Sequence, residues 1–172
     1  MKKVQVSVVL GDISKENADC LITAINSSGM WFGAIDRLLK SIAGDAFHSQ
    51  ARKAMPLKDG ETIVVRGDGF NRGGGFTSVV FVVDDLQRPL REVVYNGLLA
   101  AAVARYESIV IPTIRMGVMI GVVEKSAEEA VEELAKGVKD FLIENPNTTI
   151  KNICFVVHSD QNIQVLLQKA LT

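Results

Sequence analysis

Few side chains in this sequence are equipped for chemistry, and those that are do not cluster. There are two histidines, His48 and His158, and two cysteines, Cys20 and Cys154. No H-E-x-x-H or C-x-x-C occurs, so neither a dedicated metal site nor a cofactor is expected. No G-x-S-x-G elbow is present, and Ser27, Ser28 and Ser159 have no histidine base beside them in sequence. His48 lies among polar residues of a short helical stretch and is expected at the surface. His158 closes the last apolar run, at a strand end where ligands bind, and is a candidate site residue.

What does recur is a kind of loop. Gly11-Asp12, Asn26 to Gly29, Arg115-Met116-Gly117-Val118-Met119-Ile120-Gly121 and His158-Ser159-Asp160 each follow an apolar, strand-like run. Strand, small-residue loop and helix start together build an anion site. The glycine admits a close ligand, and the helix N-terminus offers free N–H donors and a positive dipole end. The spacing is not G-x-G-x-x-G, which sets a Rossmann-type dinucleotide fingerprint aside. Apart from Asp160, which opens the last helix, Asp12 is the one carboxylate in these loops. It would accept a hydrogen bond from an exocyclic amine, or else cap a local turn. This inventory suits a neutral-to-anionic ligand with phosphates and one amine-bearing ring.

The elements that must position these loops alternate. Strands are expected over residues 4–10, 20–25, 61–66, 78–83, 108–111 and 151–157. Helices are expected over 31–43, 45–55, 88–106, 126–143 and 160–171, with a short turn near 14–17. Ser126 with Glu129 forms a capping-box pattern, and Asp160 is an N-cap. The uninterrupted apolar run 78–83 predicts a central strand covered on both faces. A glycine-rich segment, 67–75, joins strands 61–66 and 78–83 without a helix, so that pair is expected to be partly antiparallel. The pattern predicts a three-layer α/β/α sandwich with a mixed, mostly parallel central sheet. Its parallel strands would bring the four loops to one rim.

At 172 residues the chain suits a single domain, 1–172, with a full core. Its formal net charge of −1 does not recommend a nucleic-acid backbone as partner. No apolar run approaches the roughly 20 residues of a membrane span, and the N-terminal apolar stretch is too short for a signal peptide. Two reduced, buried thiols and a cytoplasmic location are the expectation.

Four anchors, in order and at matching separations, resemble the macro domain family, whose members bind ADP-ribose. Gly11-Asp12-Ile13-Ser14 resembles the family's G-D-I-T. Ile22-Thr23-Ala24-Ile25-Asn26 resembles V-N-A-A-N, and Gly33-Ala34-Ile35 resembles the G-A-I that opens its first long helix. Pro112 with Gly117-Val118-Met119-Ile120-Gly121 resembles P…S-T-G-V-Y-G. The resemblance spans residues 4–171 and implies roles residue by residue. Asp12 would bind the adenine amine and Ile13 N–H the adenine ring, beside Gly11. Asn26, after Ala24, would sit by the distal ribose and is the one matched candidate for catalysis. Ser28, Gly29 and the residues to Gly33 would form one diphosphate loop. Met116, Gly117, Val118, Met119 and Gly121 would form the other, with the Arg115 side chain available to pair with phosphate. His158 would border the adenosine.

The chain departs from the family where hydrolytic members act. Thr23 replaces the first Asn, and Phe32 stands where a catalytic Asp is found. Three functions follow from the resemblance. The first is a module that binds ADP-ribose or an ADP-ribosylated molecule. The second is a hydrolase of ADP-ribosyl esters or ADP-ribose 1″-phosphate. The third, suggested by Met30-Trp31-Phe32, is a repurposed fold that dimerises or binds a protein partner.

Overall fold

The computed structural model describes residues 3–29, 34–67, 75–117 and 119–172. Six strands, β1 (Gln5–Leu10), β2 (Cys20–Ile25), β3 (Thr62–Arg66), β4 (Ser78–Val83), β5 (Ser108–Pro112) and β6 (Asn152–Val157), form one sheet in the order β1-β6-β5-β2-β4-β3. Every neighbouring pair is parallel except β3 with β4, which is antiparallel along all five residues of β3.

Helices α1 (Ala34–Ala43) and α2 (Ala46–Ala54) cover one face of the sheet. The other face carries α3 (Leu90–Val103), α4 (Ala127–Glu144) and α5 (Gln161–Leu171). Strand alternation divides the core accordingly. Cys20 and Ile22 of β2 and Val80 and Val82 of β4 meet α3 and α4. Leu21, Ile25, Val79, Phe81 and Val83 meet α1 and α2. All six residues of β4 are buried, as its apolar run requires. It lies one place from the edge, however, not at the centre, because the antiparallel β3 takes the outer position.

The layers approach closely at Gly97 of α3. A Cβ there would lie 2.5 Å from Ile22 Cγ2 and 3.2 Å from Val82 Cγ2. The helix ends follow local chemistry. Ser126 Oγ accepts the Glu129 N–H (3.2 Å), while the Glu129 carboxylate reaches back to the Lys125 N–H (3.0 Å). Asp160 Oδ1 accepts from the N–H groups of Asn162 and Ile163.

Two further expectations need correction. His48 is not at the surface. It is fully buried in α2, its Nε2 lying 2.5 Å from Asp36 Oδ1 of α1, because the carboxylate from the neighbouring helix lets an imidazole be buried. Cys20 is buried, but Cys154 is only partly so. Of the glycine-rich segment, residues 68–74 lie outside the described residues. Its end is pinned: Gly75 N–H donates to Ser14 O, and Gly75 O accepts from Ala18 N–H. Among the described residues no helix is long and apolar enough to cross a membrane.

Candidate functional site

The parallel strands β1, β6, β5 and β2 end on one rim, in that order, and β4 ends beside β2. All four loops singled out in the sequence therefore share this rim.

After β1, Gly11 N–H donates to Val157 O of β6 (2.9 Å), and Gly11 takes φ +150°, a conformation suited to glycine. Asp12 follows, exposed, and caps a single 3₁₀ turn, Ile13–Lys15. Its Oδ1 accepts both the N–H (3.0 Å) and the hydroxyl (2.6 Å) of Ser14. The Ser14 hydroxyl and then its N–H hold the Asp12 carboxyl below its ordinary range, with smaller help from the charges of Lys15 and His158. Asp12 is thus a turn cap, but only one of its oxygens is used. Oδ2 and the N–H of buried Ile13 have no hydrogen-bond partner among the described residues. His158, after β6, is exposed beside this corner.

The loop after β2 turns on itself. Asn26 Oδ1 accepts the Ser28 N–H (3.0 Å), and Asn26 O accepts the Gly29 N–H (3.0 Å). The Ser27 N–H goes to Asp85 Oδ1 (2.9 Å), just past the end of β4. The three backbone donors of residues 27–29 are therefore already occupied. Gly29 is buried at φ +76°, and a Cβ there would approach Met55 Cγ to 3.1 Å. Thr23 is buried within β2, and Ala24 packs toward α3 and α4. Gly33, with Met30, Trp31 and Phe32, lies outside the described residues.

The loop after β5 is a series of tight turns. Met116 N–H donates to Thr113 O, Ile120 N–H to Gly117 O, Gly121 N–H to Glu124 O, and Val122 N–H to Met119 O. The N–H groups of exposed Gly117 and half-buried Met119 are left without a protein partner among the described residues. Val118 lies outside them.

Arg115 departs from its expected role. Its side chain is 2% exposed and points inward. Nε and Nη2 meet the two oxygens of Asp84 (2.9 and 2.6 Å), and Nη1 meets both oxygens of Glu124 (3.0 and 3.1 Å). Nη2 also donates to Arg88 O (2.8 Å). The guanidinium is spent on this network, so only the Arg115 backbone belongs to the loop surface. Burial pulls its pKa down, but the Asp84 hydrogen bonds and the charges of Asp84 and Glu124 outweigh it and leave the pKa raised. Two carboxylates face one cation here. The excess negative charge is met by N–H donors: Leu90 at the start of α3 gives to Glu124 Oε1 (2.8 Å), and Leu86 gives to Asp84 Oδ1 (3.0 Å). Sequence reading missed Asp84, Asp85 and Glu124. The doublet Asp84-Asp85 directly after a buried strand was the available signal.

A six-stranded mixed sheet between two helical layers is the macrodomain architecture. Solved structures agree. The Trypanosoma brucei macrodomain in complex with ADP superposes with a TM-score of 0.80 at 18% identity, over 98% of this chain and 69% of that one. A variant of the Oceanobacillus iheyensis macrodomain superposes with a TM-score of 0.77 at 23% identity, over 95% of this chain and 89% of that one. The chain therefore has the macrodomain fold. Among curated relatives, an O-acetyl-ADP-ribose deacetylase of Enterobacter sp. is 28% identical, over 99% of this chain and 98% of its own length. An uncharacterized protein of Thermotoga maritima is 26% identical over 98% of this chain, which spans only 29% of that protein's length. No family model matches the chain.

Proposed function

We propose that the chain binds ADP-ribose, or an ADP-ribosylated molecule, across the rim from β1 to β2. The carrying observation is the convergence of Asp12, with one carboxylate oxygen open, and the glycine loop after β5 on a single rim. Three inter-strand spacings, about 14 Å, separate the two ends, enough for a nucleoside diphosphate laid across the strand ends. The same fold in Trypanosoma brucei was solved in complex with ADP and with ADP-ribose, which supports the reading.

In this reading Asp12 Oδ2 accepts the adenine amine and Ile13 N–H donates to the ring, with Gly11 below and His158 alongside. Gly117 and Met119 N–H groups turn to the diphosphate, with Met116 and Gly121 shaping that loop. Asn26 stands by the distal ribose above Ala24, flanked by Ser28 and Gly29. The N–H groups of residues 27–29 are occupied, so among the described residues it is the loop after β5 that offers open donors to the anion. Titration calorimetry with ADP-ribose tests the proposal. Heat of binding that Asp12→Ala abolishes or weakens at least tenfold is expected. No heat and no thermal shift at millimolar ligand would overturn it.

A second reading is favoured by the Enterobacter relative, whose name is that of an O-acetyl-ADP-ribose deacetylase. Here the same rim would hydrolyse an ADP-ribosyl ester, with Asn26 positioning the reacting end. Acetate release from O-acetyl-ADP-ribose is the assay and Asn26→Ala the control. Equal rates in both proteins would remove Asn26 from any catalytic role.

A further inference from the structure

The two loops proposed to take the diphosphate and distal ribose are held by one dipeptide that belongs to neither. Asp84 and Asp85 follow β4 directly, and Asp84 N–H donates to Ile25 O at the end of β2 (2.7 Å). The two carboxylates then reach different loops. Asp84 takes the Arg115 guanidinium and so fixes the start of the loop after β5. Arg115 itself has φ +63°, a costly conformation for a residue with a side chain, held here by its buried partners. Asp85 takes the Ser27 N–H of the loop after β2, while its own N–H is held by Asp59 Oδ1 (2.9 Å). Asp59 is fixed in turn by Arg88 Nε (3.0 Å), and Arg88 O accepts from Arg115. The chain of contacts closes on itself through Arg88.

We propose that Asp84-Asp85 is a positioning pair that sets the separation and orientation of the two ligand loops. It would do so without touching the ligand. Asp85 acts on the Asn26 loop through the acceptor it presents to Ser27, not through its charge. This rests on the ADP-ribose reading for its ligand, but its structural half stands alone.

The test compares wild type with Asp85→Ala and Asp85→Asn, reading ADP-ribose affinity by calorimetry and amide exchange of residues 26–29. Alanine removes the acceptor, while asparagine keeps an oxygen for Ser27 and drops the charge. Asp85→Ala is expected to weaken binding about fivefold, the scale of one neutral hydrogen bond. It should also speed exchange at Ser27 with β2 and β4 unchanged. Asp85→Asn should restore both. If asparagine binds as poorly as alanine, the carboxylate acts on the ligand or the chemistry by its charge, and the proposal is overturned. Unchanged Ser27 exchange in the alanine variant overturns it too. If wild type does not bind ADP-ribose, the functional reading fails on its own. The pair is then judged by exchange, where acceleration reversed by asparagine supports it and no acceleration refutes it. Should Asp85→Ala not fold, Asp85→Ser, whose hydroxyl is too short to reach Ser27, replaces it.

Discussion

Arg115→Met isolates the buried network on which the rim is built. The guanidinium makes five hydrogen bonds, to Asp84, Glu124 and Arg88 O. Its own side chain is 2% exposed, and those of Asp84 and Glu124 are each 4% exposed. Methionine fills similar space but leaves two carboxylates buried together with no cation. Breaking a buried ion pair from one side costs about 3–5 kcal/mol, because the remaining charge keeps its desolvation penalty. For a domain of this size each kcal/mol lowers the midpoint by about 2–4 °C, so a fall of roughly 6–20 °C is expected. Arg115→Lys should lose less, since it keeps the charge and forfeits only the forked geometry. The variant that carries Asp84→Asn, Glu124→Gln and Arg115→Met together should recover most of the loss, because no buried charge is left unpaired. Urea and thermal unfolding of the four proteins give the answer. A methionine variant within about 1 kcal/mol of wild type would refute the reasoning, since it would mean that water reaches the carboxylates.

Three further outcomes follow from the same geometry. Gly97→Ala should destabilise by about 1–3 kcal/mol in urea unfolding, because its Cβ would fall 2.5 Å from Ile22 Cγ2 in a packed layer. In native protein, a thiol reagent should modify Cys154 before Cys20. Cys20 is fully buried, with burial first and the charge of Asp19 second pushing its thiol far up, whereas Cys154 is partly exposed and raised mainly by burial. The Asp12 carboxyl should titrate below 3.8 by NMR, and Ser14→Ala should move it back toward that value. The sign is that of a depressed carboxylate: its stabilising effect is complete above 3.8 and is lost as pH falls through the lower folded value. An unmoved midpoint in Ser14→Ala would assign the shift to something other than the Ser14 hydroxyl.

The strands and helices were legible because each carries its own period or cap. The run 78–83 is apolar without interruption and is buried throughout, and Ser126 and Asp160 cap the helices they precede. Once the strands were known to be parallel, the shared rim followed from topology alone. What the sequence did not disclose are partners set by the fold. The Asp36–His48 contact depends on how α1 and α2 fold back, and sequence spacing of 12 says nothing of it. Arg115 shows the limit most sharply. An arginine beside a glycine loop reads as a phosphate ligand, yet Asp84, 31 residues earlier, and Glu124, nine later, claim it. A charged side chain goes to whichever carboxylates the sheet order brings within reach, and that order is β5-β2-β4 here. The same order brings Asp85 to Ser27. Ser27 and Asp85 are 58 residues apart, a separation that spacing in the sequence cannot bridge.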